Sequence, residues 1–165
     1  MQIPRSLLAA TTVIALTIPS GAHASIAGDL KSAKEFDAPL WEKAAIRAAD
    51  KEDAAVLAAM LSAKTKGGNP ASERRFRLFD VYRKKPEFYV REARKHFKGS
   101  LDCAVETLVP ASGVIEPFEV TNVAAAIEKT GKASADLKAF RKRADEQARA
   151  LAKGRDSLLE LKDCR

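Results

Sequence analysis

Histidine is almost absent from this chain: among 165 residues only His23 and His96 carry an imidazole. Cysteine is as scarce, with Cys103 and Cys164 alone, and Trp41 is the one tryptophan. These shortages close off several chemistries. No His, Cys and carboxylate cluster has the spacing of a zinc or transition-metal site. No serine sits in a Gly-x-Ser-x-Gly turn, so a nucleophile elbow is missing. Gly67-Gly68 has neither a preceding strand nor a following Lys-Ser, so it does not form a phosphate loop. After residue 18 no apolar run is long enough to cross a bilayer.

Paired acids are the remaining route to catalysis. Glu116 and Glu119 flank Pro117 in a segment that reads as an ordered, partly buried loop over 110–119. Two carboxylates can cut a glycosidic bond, but such sites come with aromatic sugar platforms, and none accompanies this pair. The expectation is therefore no catalytic residue, no metal and no cofactor.

The first 24 residues are the most informative stretch that is present. Arg5 gives a positive start, Leu7 to Ile18 is uncharged and apolar, and Pro19-Ser20-Gly21 breaks the run. Ala22-His23-Ala24 then supplies the small residues of a cleavage site. Residues 1–24 are expected to be a cleaved signal peptide and 25–165 one helical domain, periplasmic or secreted. Ser25 rather than cysteine follows the site, which argues against a lipid anchor. In an oxidising compartment two cysteines read as one disulfide, Cys103–Cys164. Closing a loop of about 62 residues would contribute roughly 4 kcal/mol by chain entropy.

Alanine is frequent, valine and isoleucine are sparse, and Gly and Pro gather between mixed polar and apolar stretches. This pattern predicts an all-α fold: a compact domain of five to seven helices, stacked as pairs with a long C-terminal helix and one disulfide. Pro39 opens a helix bearing Trp41, Ala44, Ala45 and Ala48, and a second carries Val56, Leu57, Met60 and Leu61 on one face. Lys66-Gly67-Gly68-Asn69-Pro70 reads as a loop, with Asn69 capping the next helix. That helix places Phe76, Phe79 and Tyr82 inward and stops near Lys85, because Pro86 disfavours a helical residue before it. Pro86 begins another, ended by Gly99. Ser100 caps a short helix and Thr121 a further one to Thr130. Ser134 caps the longest, expected to reach Lys162 with Leu137, Ala144, Leu151 and Leu158 along its apolar face and Gly154 a weak point.

One segment stands apart electrostatically. Residues 74–98 hold Arg74, Arg75, Arg77, Arg83, Lys84, Lys85, Arg91, Arg94, Lys95 and Lys98 against Asp80, Glu87 and Glu92 alone. The difference equals the +7 formal charge of the whole chain. Arg91, Arg94, Lys95 and Lys98 recur at i, i+3, i+4 and i+7, one helical face. A solvated face would balance itself through the pairs Glu73–Arg77, Asp80–Lys84 and Glu87–Arg91. A binding face would instead offer Arg74, Arg77, Arg83, Lys84, Lys85, Arg91, Arg94, Lys95 and Lys98 to an acidic partner. Nucleic acid is disfavoured, because the aromatics lie at core spacing and form no stacking platform. The functional expectation is a non-enzymatic exported binder of the inhibitor, immunity or escort type. Its partner would be an acidic protein such as a toxin or envelope enzyme. An anionic envelope polymer held by 74–98 is the alternative.

Overall fold

The computed structural model describes residues 25–63, 69–109, 117–162 and Cys164. The proposed leader, residues 66–68 of the expected loop 66–70, and residues 110–116 with Glu116 lie outside them, while Asn69 and Pro70 are the first residues of a helix rather than loop. Among the described residues there are eight helices and no strand. They are α1 (Ile26–Ser32), α2 (Ala38–Lys51), α3 (Ala54–Ser62), α4 (Asn69–Lys84), α5 (Pro86–His96), α6 (Leu101–Glu106), α7 (Pro117–Glu128) and α8 (Ala135–Ala152). The count exceeds the expected five to seven by one, because the short segment α1 forms a separate helix capped by Ser25.

One capping device starts five of these helices. The side chains of Ser25, Asp37, Asp53, Ser100 and Ser134 accept from the amides of Gly28, Leu40, Val56, Cys103 and Leu137. Each satisfies an amide that the helix itself leaves without a partner, an effect of about 1 kcal/mol. The α4–α5 break falls where Pro86 requires it. Lys85 leaves the helical region at φ −141°, and the proline ring then fills the first turn of α5, where no amide is needed.

Helix α3 lies at the centre, packed against α1, α2, α4 and α5. Its sequence, Ala-Ala-Val-Leu-Ala-Ala-Met-Leu-Ser, carries no charge, as a helix enclosed on several sides must. Small residues on α2 (Ala44, Ala45, Ala48 and Ala49) are all buried and let its neighbours approach closely. Helix α7 lies along α8, and α2 along α4. The buried core draws on every helix from Leu30 of α1 to Ala144 of α8. Its aromatic centre is Tyr82, with ring centroids 5.6 Å from Tyr89 and 5.5 Å from Phe140.

The start of α7 and the end of α8 differ from the sequence reading. Helix α7 begins at Pro117, so Thr121 is an interior residue whose hydroxyl donates to the Phe118 carbonyl instead of capping. Glu119 is thus an exposed first-turn residue of a helix rather than part of a buried loop. Helix α8 ends at Ala152, and Gly154 takes φ +65° as its terminator, with the Arg155 amide returning to the Ala150 carbonyl. Leu158 therefore leaves the helical stripe and is exposed, as is Leu161. Phe76 also points outward, at 40% exposure, whereas Phe88 turns in.

The Cys103–Cys164 disulfide is formed, with Cα atoms 5.2 Å apart. It joins α6 to the non-helical tail that follows α8. The same tail is held by Gln147, fully buried on α8. Its amide donates to Ser157 Oγ at 3.0 Å and its carbonyl oxygen accepts from the Leu158 amide at 2.8 Å. A buried amide satisfied at both ends fixes where the chain turns back.

Candidate functional site

The basic segment occupies α4, the Pro86 break and α5. Half of its ten cations turn sideways toward acids beyond their own helix. Arg75 meets Glu106 of α6 at 3.0 Å. Arg77 reaches Glu42 of α2 at 3.7 Å and Asp80 at 3.4 Å. Lys84 faces Asp50 at 3.5 Å and Lys85 faces Glu52 at 3.0 Å. Arg83 shares Asp80 at 3.5 Å, and Arg94 pairs with Asp136 of α8 while also donating to the Gly99 carbonyl. None of the three expected i, i+4 pairs forms. Glu87 instead accepts from the Ser134 amide at 2.8 Å and from its hydroxyl, anchoring the start of α8 on α5. An i, i+4 pair on a solvated helix is worth only about 0.2–0.5 kcal/mol, so acids across a helix seam readily displace it.

The face expected to display four cations therefore displays three. Arg91 has a side chain 59% exposed, Lys95 80%, and Lys98 is exposed beyond the end of α5. Glu92 lies under the first two, 2.8 Å from Arg91 and 4.0 Å from Lys95. The Arg91 guanidinium also sits 5.5 Å from the Phe88 ring centroid, which fixes its direction. Among the described residues Lys98 makes no ion pair; it holds φ +52° before Gly99 at φ +91°.

Below this edge a cleft of about 880 Å³ opens where the ends of α3, α5 and α6 meet α4. Arg74, Arg75, His96 and Lys98 bring basic groups to it, and among the described residues that line it Glu106 is the one acid. Leu61, Ala63, Ala71, Leu78 and Phe97 give it apolar walls. Arg74 is the deepest cation. Its Nη2 donates to the Leu61 carbonyl at 2.6 Å, closing the end of α3, while its Nε is buried without a partner. Burial pushes this guanidinium below its usual range, and the neighbouring Arg75 charge adds to that. His96 is likewise held below the ordinary imidazole range, first by burial and then by the Arg74 charge. Its ring meets Phe97 edge-on at 4.8 Å.

Sequence reasoning named Arg74 and Lys98 but saw neither that they share a cleft nor that His96 and Glu106 join them. The partner acids Glu42, Asp50, Glu52, Glu106 and Asp136 were also missed, because they lie far away along the chain. Among the described residues, no three His, Cys, Asp or Glu side chains gather at metal-binding distance, and no helix is long and apolar enough to cross a membrane. No family model, no curated protein and no solved structure matches this chain.

Proposed function

We propose that the protein is an exported, non-enzymatic helical domain that acts by binding another protein, as an inhibitor, an immunity protein or an escort. The observation that carries this reading is the destination of the basic charges. Arg75, Arg77, Lys84, Lys85 and Arg94 are engaged with acids of α2, α4, α6 and α8. A polyanion binder needs a long row of cations free to displace counterions, each phosphate contact adding about 0.9 to the salt slope. At the end of α5 Arg91, Lys95 and Lys98 stay outward along roughly 10 Å, and Arg83, 63% exposed, is the one further cation whose acid lies on its own helix. That edge suits a few carboxylates on an acidic protein, such as a toxin or an envelope enzyme.

The test is affinity capture from envelope extract with the native protein and with an R91E/K95E/K98E variant. The expected result is one stoichiometric protein retained by the native chain and lost by the variant, with the variant's helical content and melting unchanged. Retention of lipid or nucleic acid in place of a protein would move the function to the anionic-polymer alternative. Equal capture by both forms would remove this edge from the interface.

A further inference from the structure

We infer that Cys164 is the sulfur at which the Cys103–Cys164 bridge exchanges with a small external thiol, and that contacts from Asp102, Arg143 and Gln147 hold the tail so that Cys103 recloses the bridge. This goes beyond the protein-binding reading and does not rest on it. The first observation is an asymmetry between the two cysteines. Cys103 lies inside α6 at 1% exposure, next to the buried Ala104 and Val105. Cys164 lies in the non-helical tail, is partly exposed, and lines the cleft, whereas Cys103 does not. Thiol–disulfide exchange needs a thiolate to touch one of the two sulfurs, so access decides which is attacked. The external thiolate bonds to Cys164 Sγ, the S–S bond breaks, and its electron pair leaves on Cys103 Sγ. The product is a mixed disulfide on Cys164 beside a free Cys103.

The second observation is that the tail has anchors that do not involve sulfur. Gln147 bonds to Ser157 and to the Leu158 amide, Arg143 donates to the Leu158 carbonyl, and Asp102 accepts from the Glu160 amide at 2.8 Å. Leu159, between these contacts, is buried. Three residues, 161–163, separate this anchored stretch from Cys164. Asp102 also directly precedes Cys103, so the carboxylate that holds the tail is on the same turn as the sulfur that must reclose the bridge. Breaking the S–S bond removes none of these hydrogen bonds. A tether this short holds two reacting groups at an effective concentration on the order of millimolar or higher. The Cys103 thiolate then attacks Cys164 Sγ and expels the external thiolate. The bridge is restored with no net oxidation or reduction.

The probe is reduced glutathione, added to the oxidised protein, with free thiols then trapped by alkylation and the adduct located by peptide mass spectrometry. Glutathione should be found on Cys164 and the alkyl group on Cys103. The adduct should stay minor in native protein and rise about tenfold or more in D102N, the scale for losing a charge-assisted hydrogen bond to the tail. R143Q should act in the same direction with the Asp102 charge beside Cys103 kept. Single-cysteine variants treated with oxidised glutathione give a second readout. C103A, which keeps Cys164, should be modified at least about tenfold faster than folded C164A, which keeps the buried Cys103. The mapping on native protein needs no substitution, so it decides the matter if C164A does not fold. Adduct on Cys103, or on both cysteines equally, would overturn the assignment of Cys164. An adduct fraction no higher in folded D102N and R143Q than in native protein would overturn the reclosing role of the tail anchors. Absence of adduct in all three proteins would overturn the exchange itself.

Discussion

Asp102 of α6 and Arg143 of α8 hold each other through two parallel hydrogen bonds, Nε to Oδ1 at 2.6 Å and Nη2 to Oδ2 at 2.9 Å. The pair also grips the tail: Asp102 accepts from the Glu160 amide, and Arg143 donates to the Leu158 carbonyl. The two side chains are 16% and 25% exposed, so solvent screens them only in part. Arg143 holds the Asp102 carboxyl below the usual carboxylate range, mainly by the direct hydrogen bond. With the disulfide one residue away, this ion pair makes a second, non-covalent clasp on the same segment.

Breaking the clasp should destabilise the fold. D102N and R143Q are each expected to cost about 1–3 kcal/mol, the range for charge-assisted hydrogen bonds in partly buried settings. The double variant should cost less than the sum of the two. A denaturant double-mutant cycle measures this, and additive effects would mean the two residues do not act together.

Acid should weaken the same contact. The folded pKa of Asp102 is depressed relative to the unfolded chain, so its stabilising contribution is complete above about pH 4. It is lost as pH falls through the lower folded value. Asp53, held down chiefly by the hydrogen bond from Arg47, adds in the same window. Melting temperature should therefore drop below about pH 4, and the drop should be shallower in D102N.

His96 gives a separate signature at milder pH. Its folded pKa is lowered, so protonation favours the unfolded chain. Stability should be full above about pH 6.5 and should begin to fall as pH decreases through that unfolded value. The NMR titration midpoint of His96 should lie below about 6.5 and move upward in R74Q. A midpoint at or above the free-imidazole value would contradict the placement of Arg74 beside it.

Two tyrosines carry buried polar atoms into the core. Tyr82 donates to the Val120 carbonyl at 2.9 Å. The Thr107 hydroxyl gives its proton to the Ala104 carbonyl, so the Tyr89 hydroxyl is the donor in their 2.7 Å contact. Burial pushes both phenols well above their usual range. Y82F and Y89F should each cost roughly 1–2 kcal/mol in chemical denaturation, with no change in helix content. No loss in either would mean the bonded oxygens find other donors.

The disulfide should be quantitative and stabilising. Unfolded, unreduced protein should show no reactive thiols, and reduction should lower stability by up to roughly 4 kcal/mol. The Asp102–Arg143 clasp and the Gln147 contacts should hold the reduced tail partly in place, so the loss should fall short of that figure.

The helical fold and its pairing of cysteines were legible because local rules decide them. Pro86 dictates the α4–α5 break, Ser100 and Ser134 dictate two helix starts, and two cysteines in a chain read as exported point to one bridge. The end of α8 was misplaced because Leu158 and Leu161 continue the heptad spacing, and Gly154 reads as either a tolerated interior residue or a terminator. Only the tail contacts of Gln147 and Asp102 distinguish these. The site was half legible. Charge density marked residues 74–98, but half of the cations find acids beyond their own helix: Arg94 meets Asp136 of α8, 42 residues away, and Arg75 meets Glu106, 31 residues away. Sequence spacing within one helix cannot report such pairs.

The central claim, that this domain binds a protein through a short cationic edge instead of tracking a polyanion, is tested most directly by the salt dependence of affinity for the captured partner. The three outward cations of the α5 edge, with Arg83 at most a fourth, predict a shallow slope, no more than about four in log affinity against log salt, with binding retained at high salt. A slope of about six or more would require the paired arginines and lysines of α4 to engage the ligand, and would contradict the account.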